Sequence, residues 1–429
     1  MSESKIFRVF PNDPLPPKVD FADGSYIHTK NGKRILDLTA GGTSFAILGW
    51  NNAEVNDAIL KQLNRFGHMD YKIWRDHNTE ELAELLVSKA EHGLNKVYFS
   101  GNSGAEACEA AMKMSYQVHY DSGKKEKKWF ISREQSYHGA TSDALVLSDR
   151  PNLAFYNQML SPYRAKIPMH HPLYLKNENE TLDEYAKRSA KELEEKILEI
   201  GPQKVCGFVG ETIMGGLVGD VPPAPNYWKY IREVCTKYDV HLILDEVYCG
   251  TGTSGKVYCC DWDNVVPDFI FIGKTLAAGY GALSAVITSD KIENIIKNGQ
   301  GRLQHTTTHQ AHSLSVAAAL AVQKIVHKDE TLQHVYDLGE YMRNTLYSEL
   351  KDLDIFRDIR GRGLRFSFEY QCKDDIKFAQ KLTQNMLEKH NTYISAKWHR
   401  VSFTPPLILT YKEATQSMEN FIKEVKESL

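Results

Sequence analysis

Short apolar runs alternate with amphipathic stretches through the middle of the chain. The apolar runs occupy residues 96–99, 129–132, 205–210, 241–245, 269–273 and 284–288. Several are apolar on both faces, which is typical of strands in a parallel sheet covered by helices. A helical pattern with periodic Leu and Ile fills residues 183–200. Strands that alternate with helices predict right-handed crossovers and a three-layer α/β domain with a mixed, mostly parallel central sheet.

The pattern changes toward the C-terminus. An alanine-rich helix is predicted at 314–326, then a charged helix to about residue 350, and further helices at 373–390 and 412–429. Strand-like segments lie between them, so we expect a smaller α+β domain. Because 429 residues exceed the roughly 250–300 at which one core usually divides, two domains are expected. We predict a large domain at 59–313, a small domain at 314–429, and an N-terminal segment at 1–58 that opens with a hairpin and joins the small domain.

Composition excludes several classes of protein. The net charge of −3 gives no reason to expect nucleic acid or an anionic membrane as a partner. No segment approaches the roughly 18 uninterrupted apolar residues of a membrane span. The first residues, "MSESKIFRVFPNDPLPP", lack the basic and apolar regions of a signal peptide. The seven cysteines show no metal-ligand spacing. We therefore expect a cytoplasmic protein with reduced thiols and no metal site.

Two strand ends carry residues that could do chemistry. In "DFIFIGKTLAAGYG", Lys274 follows an apolar run and precedes a glycine-rich turn. In "HLILDEVYCGTG", Asp245 ends the preceding apolar run, where open α/β sheets place their ligand crevices. Either residue could simply cap its strand or the following loop. If the two strands are close in the sheet, the amine and the carboxylate open onto one crevice.

Two further segments could help to form a binding site. The segment "YFSGNSGAEACEAAMKM" runs from a strand through glycines into a helix. Ser103 and Glu106 have the spacing of a capping box, so the helix is predicted to begin at Ser103. Such a helix N-terminus suits a phosphate, although a capped core helix would have the same sequence. Tyr137 in "SREQSYHGAT" follows another strand and could pack in the core or support a flat ring.

Together these groups match the chemistry of pyridoxal 5′-phosphate. This cofactor has a phosphate, a ring nitrogen that is best kept protonated, a flat face and an aldehyde. Asp245 would hold the proton of the ring nitrogen by a charge-assisted hydrogen bond. Lys274 would form a Schiff base with the aldehyde, because burial would lower its pKa enough for it to react. After release by a substrate amine, Lys274 could move the substrate's α-proton.

The chain resembles the class III pyridoxal-phosphate aminotransferases of fold type I from about Phe21 to the C-terminus. The segments that carry the resemblance are "FADGSYIHTKNGKRILDL", "NSGAEACEAAMKM", "SYHGAT", "LILDEVYCGTGTSGK", "PDFIFIGKTLAAGYG" and "PPLIL". The resemblance implies Lys274 as the Schiff-base lysine, Asp245 as the partner of the ring nitrogen and Tyr137 as the stacking aromatic. It also implies cofactor contacts from Ser103, Gly104, Ala105 and Val247. Thr308 falls where the family has a threonine that reaches the phosphate of the neighbouring subunit, which implies a homodimer with shared active sites.

The resemblance leaves the substrate open. Glu211, in "VGETIMGG", occupies the place of a segment near the substrate, and Trp74 in "DYKIW" could line the donor pocket or the core. Thr253 and Tyr248 stand where family members carry an arginine and a glutamine. Ser402 stands where some members have a carboxylate-binding arginine, and Arg400 lies two positions away, so Arg400 is a candidate substrate residue.

The sequence therefore predicts an aminotransferase that moves an amino group from an amine or ω-amino acid to an oxo acid such as pyruvate or 2-oxoglutarate. An aminomutase or a racemase with the same cofactor is an alternative, and neither would need a separate oxo-acid acceptor. A cofactor-binding regulatory protein without turnover is a second alternative, against which the intact pair of Lys274 and Asp245 argues.

Overall fold

The computed structural model describes residues 5–90 and 93–429. The first four residues of the predicted segment 1–58 lie outside this part. The strands are β1 Val19–Asp23, β2 Tyr26–Thr29, β3 Arg34–Asp37, β4 Lys96–Phe99, β5 Trp129–Arg133, β6 Arg164–Ile167, β7 Val205–Glu211, β8 His241–Asp245, β9 Phe269–Ile272, β10 Ala285–Thr288, β11 Phe356–Arg362, β12 Arg365–Tyr370, β13 Thr392–Tyr393, β14 Ser395–Lys397 and β15 Arg400–Phe403. The α-helices are α1 Ala53–Arg65, α2 His77–Ser88, α3 Gly104–Asp121, α4 Ser142–Leu147, α5 Pro172–Leu175, α6 Leu182–Ile200, α7 Tyr227–Lys237, α8 Asp290–Asn298, α9 Ser313–Val326, α10 Asp329–Leu350, α11 Asp375–His390 and α12 Tyr411–Ser428.

A seven-stranded sheet forms the centre, in the order β4-β10-β9-β8-β7-β5-β6. All six predicted strands lie in this sheet. The pairs from β9 through β8, β7 and β5 to β6 are parallel, whereas β10 runs antiparallel to both of its neighbours. Strand β6 was not predicted, because its sequence RAKI lacks a long apolar run. The prediction of a mixed, mostly parallel α/β sheet is confirmed.

Apolar layers cover both faces of this sheet. On β8, Leu242 and Leu244 pack with residues of α2, α6, α7 and α9, whereas Ile243 between them packs with residues of α3, α4 and α8. The side chains of β9 alternate between the same two clusters, with Ile270 and Ile272 in the first and Phe269 and Phe271 in the second. Since successive side chains of a strand point to opposite faces, a strand covered on both sides must be apolar throughout. This explains the uninterrupted apolar runs and gives the predicted three layers.

Two smaller sheets complete the fold, in the orders β1-β2-β3-β13 and β11-β12-β15-β14. Strand β3, near the N-terminus, pairs in parallel with β13. A separate apolar cluster joins α10, α11 and α12 to these strands, with Phe366, Phe368 and Phe403 fully buried in it. The division at residues 58/59 and 313/314 stays a prediction, since Val316, Ala319 and Leu320 of α9 pack in the cluster of the central sheet. Within the described residues, no helix is long and apolar enough to span a membrane.

Candidate active site

Three chemically active side chains meet at the carboxyl edge of the central sheet. Glu211 ends β7 and Asp245 ends β8, and the two residues are partners in the parallel register. Lys274 follows β9, the next strand in the sheet, after a single glycine. This edge is where open α/β sheets bind their ligands. A cavity of about 820 Å³ opens here, and nine of the eleven predicted site residues line it: Ser103, Gly104, Ala105, Tyr137, Glu211, Asp245, Val247, Lys274 and Arg400.

Asp245 is buried and held at both oxygens. Its Oδ1 accepts a hydrogen bond from the Val247 N–H at 3.0 Å, and its Oδ2 lies 2.7 Å from Nδ1 of His138. Burial lowers the pKa of His138, although Asp245 opposes this effect, so the neutral ring donates from Nδ1 to the carboxylate. These two hydrogen bonds fix the orientation of the Asp245 carboxyl group. His138 was not among the predicted site residues, although it directly follows Tyr137.

Lys274 sits in a conformation that few side chains adopt. Its φ of 33° lies in the left-handed region, and the chain turns there into the short 3₁₀ segment Lys274–Leu276. Burial lowers the pKa of its amine, while Asp245 raises it and the Arg365 guanidinium lowers it further. A neutral amine is the form that attacks a carbonyl carbon. A strained backbone and a desolvated amine at a cavity are typical of functional sites.

The N-terminus of α3 provides the predicted anion site. The helix begins at Gly104, after the N-cap Ser103, and Glu106 accepts a hydrogen bond from the Ser103 N–H at 3.3 Å. The first-turn N–H groups of a helix have no intrahelical partner and favour an anion. A Cβ on Gly104 would lie 2.6 Å from Cγ2 of Val247, so the backbone approaches the cavity wall closely only because this residue is glycine.

Tyr137 lies half-buried at the cavity, with a cation against its ring. The guanidinium carbon of Arg150 is 3.9 Å from the ring centre, and Arg150 also lines the cavity. This cation–π contact covers one face of the ring. A cofactor ring would therefore have to stack on the other face of the Tyr137 ring, and this role of Tyr137 stays a prediction. Arg150 was not among the predicted site residues, because a contact between residues from different segments leaves no local pattern in the sequence.

Glu211 lies beside Asp245 but is bonded differently. Its Oε2 is buried and has no hydrogen-bond partner among the described residues. Burial and, to a smaller extent, the neighbouring Asp245 raise the pKa of the Glu211 carboxyl to about 8, against the opposing effect of the Arg133 guanidinium. Two adjacent buried carboxyls do not both ionise readily. Glu211 therefore holds a proton at neutral pH.

The opposite wall of the cavity is fixed by a polar network. The Tyr248 hydroxyl donates to the Asp220 carboxylate at 2.6 Å, and the Tyr248 ring centre lies 5.4 Å from Nζ of Lys274. Fully buried Arg365 donates to the carbonyls of Tyr248 and Ser44, each at 3.1 Å. This network connects the small sheets to the loop after β8, so both parts of the fold shape one site.

Two predicted residues lie elsewhere on the molecule. Within the described residues, neither Trp74 nor Thr308 lines the cavity. Trp74 is 62% exposed, and exposed Thr308 has its carbonyl oxygen 3.2 Å from Nε2 of His68. Their roles, which the resemblance placed partly across a subunit boundary, stay predictions. The described residues contain no group of three possible metal ligands.

The residues present fit pyridoxal phosphate. The helix N-terminus suits the phosphate, buried Asp245 suits a ring-nitrogen proton, and Lys274 offers a neutral amine on the same cavity. The volume of the cavity and its mixed polar and apolar lining are those of a cofactor site. The fold and the site together therefore define a pyridoxal-phosphate enzyme built on a mixed α/β sheet.

Comparison with known proteins identifies the family. Residues 11–425 match the family model Aminotransferase class-III, and the chain belongs to this family. An uncharacterised aminotransferase of Schizosaccharomyces pombe is 32% identical over 99% of this chain and 96% of its own length. Gamma aminobutyrate transaminase 2 of Solanum lycopersicum is 31% identical over 96% of this chain and 92% of its own length.

Solved structures agree with this assignment. The ω-transaminase of Pseudomonas jessenii in complex with PMP superposes with a TM-score of 0.90 at 28% identity, covering 96% of this chain and 93% of that chain. A PMP-bound aminotransferase of Vibrio fluvialis gives a TM-score of 0.89 at 26% identity, with the same coverage. The predicted fold type I, aminotransferase activity and pyridoxal-phosphate cofactor are confirmed.

Proposed function

We propose that this aminotransferase takes an amino group from an amine or ω-amino acid and delivers it to an oxo acid such as pyruvate or 2-oxoglutarate, with Lys274 as the residue that carries the cofactor. The observation that carries the proposal is the position of Lys274 and Asp245 at the ends of adjacent strands β9 and β8, on one cavity. The relative named as a gamma aminobutyrate transaminase and the ω-transaminase structure support an ω-amino donor.

The residues divide the chemistry among them. When bound, pyridoxal phosphate supplies a conjugated ring that accepts the electron pair of a broken bond at the substrate carbon. Asp245, oriented by His138, would keep a proton on the ring nitrogen. Lys274 would bond the cofactor's aldehyde carbon through Nζ and, once displaced by a substrate amine, would carry the proton to and from the substrate carbon.

The remaining cofactor contacts would come from the walls. Ser103 and the N–H groups of Gly104 and Ala105 would hold the phosphate at the start of α3. Val247, whose side chain fills the space beside Gly104, would pack against the ring. These contacts would fix the position of the ring relative to Lys274 before the substrate enters.

A homodimer with shared active sites is part of the proposal. The segment that carries exposed Met69, Ile73 and Trp74 packs beside the segment of Thr308, since the Met69 N–H donates to the Ser313 hydroxyl at 3.3 Å. Exposed apolar side chains beside the predicted partner-reaching threonine fit a subunit interface. Light scattering would test the dimer, and Thr308→Ala would weaken cofactor retention if Thr308 reaches the neighbouring phosphate. We also propose a cytoplasmic location.

Borohydride reduction followed by peptide mapping tests the assignment of Lys274. The cofactor should become fixed to the peptide that contains Lys274, and Lys274→Ala should abolish the labelling. A labelled peptide elsewhere would refute the assignment. A screen of amines and ω-amino acids against pyruvate and 2-oxoglutarate tests the reaction. Turnover that needs no separate oxo-acid acceptor would indicate an aminomutase or racemase instead, and bound cofactor without any turnover would indicate a regulatory protein.

A further inference from the structure

Two cations face each other at the outer end of the cavity. Lys397 of β14 and Arg400 of β15 are partners in the antiparallel register, as are Ser395 and Ser402. All four residues line the cavity. Side chains of directly opposite residues lie on one face of a sheet with Cβ atoms about 5 Å apart, and like charges in such a pair are destabilising. The pair therefore creates a positive potential on the cavity wall.

Arg400 is compensated by its own surroundings. It is 3% exposed, and its Nη2 donates to the carbonyls of Gly216 and Leu217 at 2.8 and 2.6 Å. Two buried carboxylates also act on it, Asp220 and Glu369, of which Glu369 lies opposite it on β12. Arg400 is thus a fixed part of the wall.

Lys397 has no such compensation. Its side chain is exposed at the cavity, and within the described residues it forms no ion pair and no hydrogen bond. The acids that line the cavity are Glu211 and Asp245, which end strands of the other sheet. Of these, Asp245 is already bonded to His138. A flexible lysine at the outer end of the cavity is available for an anion that enters with the substrate.

We propose that Lys397 binds the carboxylate of the substrate and determines specificity for substrates that carry a carboxylate beside the reacting amino or oxo group. The inference rests on the aminotransfer proposed above. Ser402, which stands where some relatives have a carboxylate-binding arginine, has a short neutral side chain whose hydroxyl lies 2.9 Å from that of Ser367. Strand β14 supplies the charge from the neighbouring strand, since Ser395 pairs with Ser402 and Lys397 lies two residues further along.

Two acceptors that differ in the carboxylate test this role in the holoenzyme. Pyruvate and acetaldehyde share a reactive carbonyl, but only pyruvate carries a carboxylate. Lys397→Met should raise the KM for pyruvate by about 10-fold or more, which corresponds to about 1.4 kcal/mol, and should leave the KM for acetaldehyde unchanged. Lys397→Arg should keep most of the affinity for pyruvate. Lys381→Met, which changes an exposed lysine of α11 away from the cavity, is the matched control.

A binding measurement separates this inference from the proposed function. Calorimetry with propionate, a carboxylate that cannot react, should show binding to the wild type and weaker binding to Lys397→Met. The role of Lys397 would be overturned if its replacement changed the KM for both acceptors equally. It would also be overturned if the wild type did not bind propionate, or if Lys397→Met left propionate binding unaffected. A wild type that binds propionate but transfers no amino group would overturn the proposed function and leave the role of Lys397 supported.

Discussion

Replacing Glu211 by glutamine should stabilise the protein in a way that depends on pH. Burial and, to a smaller extent, the neighbouring Asp245 raise the pKa of this carboxyl from its usual 4.5 to about 8. The folded state therefore holds a proton that the unfolded state releases above pH 4.5. Stability is fully present below the unfolded pKa and falls as pH rises toward the folded pKa. Glutamine keeps the shape and the donor group of the protonated acid and does not titrate.

The size of the effect follows from how far the pH lies above the unfolded pKa of 4.5, up to the folded pKa of about 8. Each pH unit corresponds to about 1.4 kcal/mol, so at about pH 7 the carboxyl lowers the free energy of unfolding by about 3 kcal/mol relative to glutamine. At about pH 5 the same difference shrinks to less than about 1 kcal/mol. The charged groups that act on Glu211 are Asp245, Arg133, Lys274 and, more distantly, Lys166, and none is altered by the substitution.

The difference in the free energy of unfolding is measured by chemical denaturation of Glu211→Gln and the wild type. Both proteins are compared from about pH 5 to about pH 7 with equal cofactor. Infrared spectra give an independent readout, because the band of protonated carboxyls should be weaker in Glu211→Gln than in the wild type at neutral pH; Glu192, Glu246 and Glu369, whose pKa values are raised to about 7, contribute the remainder in both proteins. Glu134→Gln changes an exposed glutamate just after β5 and serves as the control. Parallel stability curves for the wild type and Glu211→Gln would refute the reasoning.

Three further outcomes follow from the geometry of the site. Asp245→Ala should leave the circular dichroism spectrum unchanged and lower turnover by about 100-fold or more, because a positioned charge is lost; a near-normal rate would contradict its role. Gly104→Ala places a Cβ 2.6 Å from Cγ2 of Val247 and should weaken cofactor binding to the apoprotein, measured by fluorescence titration, and adding Val247→Ala should restore part of it. Tyr248→Phe removes the hydroxyl that donates to buried Asp220 and should lower the free energy of unfolding by about 1–3 kcal/mol in chemical denaturation; an unchanged midpoint would show that Asp220 finds another donor.

The fold was largely predictable because its strongest signals are local. The runs that form β4, β5, β7, β8, β9 and β10 are apolar on both faces, and this pattern survives without tertiary information. The order of these strands was not predictable, since β10 lies between β4 and β9 although it follows both in sequence. Strand β6, at the sheet edge, was missed because only one of its four residues, Ile167, is both apolar and buried.

The candidate site was predictable where its residues end strands or begin helices. Lys274 and Asp245 gave such signals, because a charged residue at the end of an apolar run can be recognised in the sequence. His138, Arg150 and Lys397 gave none. Their importance comes from contacts between distant segments, such as the 2.7 Å separation between His138 and Asp245, which are 107 residues apart.

The structure also explains how the chemistry can be kept while the substrate changes. Lys274, Asp245 and the start of α3 are positioned by strands whose side chains are packed on both faces, so displacing them would disturb two apolar layers. The outer end of the cavity is built differently, from the short edge strand β14 and its partner β15, with Ser395, Lys397 and Ser402 only partly buried or exposed. Substitutions there alter charge and shape without repacking a core. The proposed specificity residue Lys397 therefore lies where substitutions can change substrate preference at little cost to folding.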